Sequence, residues 1–70
     1  MINEIKIETE FIKLDQFLKW AGISESGSFA KDMILEGQVS LNGDIVKERG
    51  KKIRSGDIIK VVGIGEFRCI

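Results

Sequence analysis

The 70-residue sequence has no histidine, no proline, a single cysteine and no net charge. Without histidine there is no imidazole base and no histidine-containing metal site. Cys69 has no second cysteine to pair with, which excludes an internal disulfide and the stapled scaffolds of small secreted domains. No run approaches the ~18 apolar residues of a membrane span, and residues 1–10 carry Glu4, Lys6, Glu8 and Glu10, unlike a signal peptide. A cytoplasmic protein with no membrane partner is expected. A chain of this length buries only roughly 60% of its unfolded surface, so one domain over residues 1–70 with a thin core and no deep cleft is expected. No nucleophile has a base marked by a motif, and acids such as Asp15, Asp32 and Asp57 are scattered. Neither catalysis nor a cofactor or metal is expected. The 43% apolar and 31% charged shares are those of a soluble globular domain.

The zero net charge hides an asymmetry. Residues 1–46 hold four lysines and eight acids, a balance of −4, while residues 47–70 hold seven basic residues and three acids, a balance of +4. Most of the excess lies in Lys47, Arg49, Lys51, Lys52 and Arg54, five basic residues in eight, interrupted by Gly50. A small dipolar protein of this kind can hold a polyanion on one face.

Ile5 and Ile7 alternate with Lys6 and Glu8, which reads as a short N-terminal strand. Thr9 then offers a helix cap, with Glu10 in the first turn. Phe11, Leu14, Phe17, Leu18 and Ala21 recur at spacings of three and four, the apolar face of a helix ended by Gly22. A second helix is expected from about Ser26, with Phe29, Ala30, Met33 and Ile34 as its stripe and Gly37 as its stop. From Gln38 the period changes to two. Asn42-Gly43 is a strong hairpin signal between Val39-Ser40-Leu41 and a return strand Ile45-Val46. Residues 47–54 read as a loop or irregular edge, Ser55-Gly56-Asp57 as a turn, and residues 58–62 and 66–70 as strands, the last an edge strand holding an inert Cys69. Asp57 is expected to bond backbone amides of its turn. The class is α+β: a helix-turn-helix pair packed on a small, mostly antiparallel sheet, with an added N-terminal strand.

The basic run is the strongest functional signal. Lys47, Arg49, Lys51, Lys52 and Arg54 supply point charges and forked donors suited to phosphates, although the same run also reads as a solvated loop. On the first helix Lys13, Gln16 and Trp20 share one flank. Lysine can hold a phosphate, glutamine can bond a base or sugar, and tryptophan can stack on a base or simply extend the edge of the core. Ser26 and Lys31, on the second helix, complete the candidate RNA contacts. Gly63-Ile64-Gly65 is a fragment of a glycine fingerprint with no helix after it, and is read as a turn.

The segments Lys13-Leu14-Asp15-Gln16-Phe17-Leu18, Ala30-Lys31-Asp32-Met33-Ile34, Glu36-Gly37-Gln38-Val39-Ser40-Leu41-Asn42-Gly43 and Gly56-Asp57-Ile58-Ile59-Lys60-Val61 follow one another in an order and spacing that resembles a known RNA-binding module. This is the S-four domain, or alpha-L RNA-binding motif, over about residues 11–62, and within it the chain looks most like the small stand-alone bacterial proteins of the YaaA/YbcJ type. The resemblance implies binding of structured rRNA or tRNA without catalysis, a place in ribosome assembly or translation, and a ribosome-associated partner. Lys13 and Lys31 match its usual basic positions. Many such domains open the second helix with two arginines, where this chain has Gly27 and Ser28, so the basic run is expected to take over phosphate binding. A monomer is expected.

Two rival readings remain from the sequence. A β-grasp sulfur carrier would share the hairpin and the Gly-Asp turn, but such carriers need a C-terminal Gly-Gly, and the sequence here reads Arg68-Cys69-Ile70 and offers two consecutive helices. A protein-interaction module could instead dock on a ribosome-associated partner through Trp20 and Leu35.

Overall fold

A computed structural model describes residues 2–70. Among them the elements are β1 (Ile2–Ile5), β2 (Ile12–Lys13), α1 (Leu14–Trp20), α2 (Gly27–Leu35), β3 (Val39–Leu41), β4 (Asp44–Ile45), β5 (Lys52–Ile53), β6 (Ile58–Val61) and β7 (Gly65–Cys69). Five strands form one sheet in the order β1-β7-β6-β3-β4, while β2 and β5 pair separately as a two-stranded ribbon. Every pairing is antiparallel except that of β1 with β7. The arrangement is the α+β class expected from the periodicities, with the N-terminal strand added at the edge.

Strand alternation decides which residues face the helices. Val39 opposes Val61, Leu41 opposes Ile59, and Ile59 opposes Phe67, so one face of the sheet is continuously apolar. Onto it fold Leu14, Phe17 and Leu18 of α1 and Ala30, Met33 and Ile34 of α2, all buried. Each large side chain withdrawn from water contributes about 1.5–3 kcal/mol. Ile53 of the ribbon is also fully buried, which ties the ribbon to the same core.

The turns follow from residues that accept a positive φ. Asn42 and Gly43 sit at φ 51° and 95°, the two left-handed positions of a two-residue hairpin turn. Gly22, at φ 77°, closes α1, and the Ser26 hydroxyl caps α2 by accepting from the Phe29 N–H at 3.1 Å.

Five local expectations are corrected. Thr9 does not cap the first helix. Its hydroxyl donates to the Phe11 carbonyl at 2.7 Å, and Ile12–Lys13 are extended because they pair with Lys52–Ile53, so α1 starts only at Leu14. The N-terminal strand ends at Ile5, with Ile7 buried beyond it. The return strand of the hairpin is Asp44–Ile45, one residue earlier than expected, because the two-residue turn sets Leu41 against Asp44. Cys69 is buried in an interior strand, since β7 lies between β1 and β6. Phe29, placed in the apolar stripe of the second helix, is 53% exposed.

Candidate nucleic-acid interface

The β2–β5 ribbon has two residues per strand. Ile12 opposes Ile53 and Lys13 opposes Lys52. Residues directly opposite in an antiparallel pair project to the same side. The two isoleucines turn to the core, Ile53 fully and Ile12 partly buried, so Lys13 and Lys52 stand together on the solvent side. The alternation Lys52-Ile53-Arg54 produces this placement: the apolar residue anchors and its charged neighbours are left outside.

The chain just before β5 wraps the start of α1. The Leu14 N–H donates to the Lys51 carbonyl at 2.8 Å and the Asp15 N–H to the Arg49 carbonyl at 3.0 Å. The Gln16 N–H turns back to the Asp15 carboxylate at 2.8 Å. Three of the orphan donors at the helix start are therefore satisfied without a side-chain cap from Lys13. The same contacts fix the basic run against α1. Arg49 Nε lies 3.9 Å from Asp15 Oδ2, a long contact between an exposed guanidinium and a largely buried carboxylate that holds one guanidinium at the helix start.

Phe11 supplies a platform. Lys52 Nζ is 4.8 Å from its ring centroid and the Arg54 guanidinium carbon is 5.9 Å away, both within cation–π range. Beyond Arg54, Asp57 closes the turn as expected, accepting from the Arg54 N–H at 2.8 Å. It also accepts from the Asn42 amide at 3.1 Å, and the Asn42 side-chain carbonyl accepts from the Ile58 N–H at 2.9 Å. The hairpin turn and the far end of the basic run are thus clipped together.

The candidate residues fall into three groups. Lys13, Arg49, Lys51, Lys52 and Arg54 gather on the ribbon and at the start of α1. Gln16 and Trp20 lie along α1, where they line a shallow cleft with Ile12 and Lys19. Ser26 and Lys31 belong to the start and middle of α2, and Lys47 follows β4. The Ser26 hydroxyl is engaged as the α2 cap, Lys31 is exposed on a helix that packs mainly on α1, and the Lys47 stem lies near Gly37, where α2 ends. Phe11 and the Asn42–Asp57 clip were not anticipated as parts of the site. Phe11 fitted the helical stripe equally well by spacing, and only the period-two alternation around Ile53 hinted at a second strand beside it.

Burial pushes the Cys69 thiol pKa up, with the nearby charge of Asp57 acting in the same direction, so the group stays protonated and unreactive. Among the described residues no cluster of three or more aspartate, glutamate, cysteine or histidine side chains could hold a metal ion. No described helix is long and apolar enough to cross a membrane.

Similarity to known proteins agrees with this architecture. The chain is 40% identical over 70 residues to the probable ribosome maturation protein RlbA of Bacillus subtilis (strain 168), spanning the whole of this chain and 99% of that protein. It is 39% identical over 56 residues to an uncharacterized RNA pseudouridine synthase of Aquifex aeolicus (strain VF5), and 32% identical over 66 residues to a tyrosine–tRNA ligase of Ralstonia nicotianae. The matched segments are only 18% and 17% of those two longer proteins. The model of the S4 domain family matches residues 5–69, nearly the full length. The chain therefore belongs to the S4 domain family, the RNA-binding family that its helix, hairpin and Gly-Asp segments resemble.

Proposed function

We propose that this protein is a non-catalytic RNA-binding protein that acts in ribosome maturation, gripping structured rRNA through the ribbon face. The observation that carries the reading is the placement of Lys13 directly opposite Lys52, beside Lys51, Arg54 and Arg49 at the start of α1. Like charges set opposite each other cost stability unless something anionic lies between them. The phosphate backbone of a folded RNA answers that arrangement, because it is read by shape and charge with few base-specific bonds. The ribosomal setting is carried over from the full-length similarity to a probable ribosome maturation protein. Pseudouridine synthesis and tRNA aminoacylation are not carried over, since the shared segment is less than a fifth of each of those proteins.

The magnitude is testable. With about five phosphates neutralised, raising salt from about 50 to 200 mM weakens binding by about 10²–10³-fold. Replacing Lys51, Lys52 and Arg54 together by alanine lowers affinity and reduces the slope of log affinity against log salt by about 2–3. The measurement is a filter-binding or polarisation series on an rRNA fragment, with urea melts to verify folding. A folded triple variant with the wild-type slope and affinity contradicts the assignment.

A further inference from the structure

We infer that the cleft beside Trp20 is a seat for one unpaired nucleobase of the same RNA whose backbone lies on the ribbon, an inference that rests on the RNA-binding reading above. Trp20 is 60% exposed, yet its ring is not loose: the indole N–H donates to the Lys6 carbonyl at 2.8 Å. That bond satisfies the one polar atom of the side chain and fixes the plane of the ring. What remains toward solvent is an oriented aromatic face with no hydrogen-bonding demand of its own, the surface on which a base stacks.

Two clefts share the indole and Ile12 and differ in the rest of their lining. One cleft, about 210 Å³, is lined by Ile12, Gln16 and Lys19 with the indole. The other, about 250 Å³, is lined by Ile7, Glu8, Thr9, Ile12 and the indole. Glu8 repels a nucleotide's phosphate in the second cleft, whereas Lys19 attracts it in the first. Gln16 adds an amide that can both donate to and accept from a base edge. Ile12 gives the cleft an apolar wall, and the next residue of β2 is Lys13, which faces Lys52. Base seat and phosphate grip are therefore carried by successive residues of one strand, whose side chains leave it on opposite faces. A paired base presents no free face to the indole, so the cleft selects RNA with a bulged or flipped nucleotide near the contacted helix.

The test uses the single tryptophan and the lack of tyrosine, which make intrinsic emission a report on Trp20 alone. The whole protein is titrated with a fully paired RNA duplex stem and with the same stem carrying one bulged adenosine. The bulged RNA is expected to quench the emission and to bind about 5- to 150-fold more tightly, the range expected for one stacked base. Trp20→Ala is expected to abolish that preference while keeping the stem affinity and its salt slope. Trp20→Phe, which retains an aromatic face and loses only the bond to Lys6, keeps part of the preference. The emission comparison needs no variant, so it stands even if Trp20→Ala fails to fold. Equal affinity and equal emission for the two RNAs, with salt-dependent stem binding intact, overturns the inference and leaves the RNA-binding reading in place. Failure of both RNAs to bind overturns that reading and this inference with it.

Discussion

Lys13 and Lys52 repel each other across the ribbon in the free protein. Lys52 recovers some of that cost over the Phe11 ring, while Lys13 makes no cap bond to α1. Lys13→Thr is therefore expected to raise stability slightly, by a few tenths of a kcal/mol, because it removes the like charge and suits an extended position. The same substitution is expected to weaken RNA binding. Urea midpoints and binding isotherms on one preparation check both halves, and a destabilised variant with unchanged affinity contradicts the account. At Cys69 the sign follows from burial. Burial and the Asp57 charge raise the native thiol pKa above its unfolded value, so its contribution to stability is full below the ordinary thiol range. That contribution is lost as pH rises through the native value. At pH 8 the native protein is expected to resist iodoacetamide, and the urea-unfolded protein to react quickly.

Among the elements, the ribbon depends on its inner isoleucine and on the Asn42–Asp57 clip. Ile53→Ala removes a fully buried side chain and is expected to cost about 2–5 kcal/mol, read from denaturant unfolding. Asn42→Ala leaves the Ile58 N–H without its side-chain acceptor and Asp57 without one donor. A loss of about 1–2 kcal/mol is expected, together with weaker RNA binding because the Arg54 end of the run loosens. An Asn42→Ala protein that binds RNA as the wild type does would show that the clip serves the fold alone. Much of this was legible in the sequence. The helix stripes from Leu14 to Leu18 and from Ala30 to Ile34, the Asn42-Gly43 turn and the Asp57 turn each carry a local physical signature, and each formed. The ribbon was not legible as a pair. A two-residue strand has too short a period to detect, and Lys52 and Ile53 pair with residues 39 and 41 positions earlier. The same long-range pairing overrode the Thr9 cap signal and shortened α1 from its N-terminal side.

For the whole molecule, net charge conveys nothing and distribution conveys a good deal. The −4 and +4 halves of the sequence meet where Asp15 takes up Arg49, and Lys51, Lys52 and Arg54 stay exposed on the ribbon and beside it. With extents of 26 × 22 × 19 Å, the domain is small enough for the ribbon and the Trp20 cleft to touch one RNA element at once. The sequence located the basic residues but not their company. Lys31 lies on α2 and the Lys47 stem runs near Gly37. The opposite side of the sheet offers a different groove, lined by Ser40, Ile45, Lys60 and Val62 among others, and provides an internal control. Two-dimensional amide NMR during titration with an rRNA fragment reads both faces in one experiment. The account predicts shifts concentrated at residues 11–16 and 49–54, fading as salt is raised, with Ser40, Ile45 and Val62 unmoved. Shifts confined to that outer groove, with Lys13 and Lys52 silent, would contradict it.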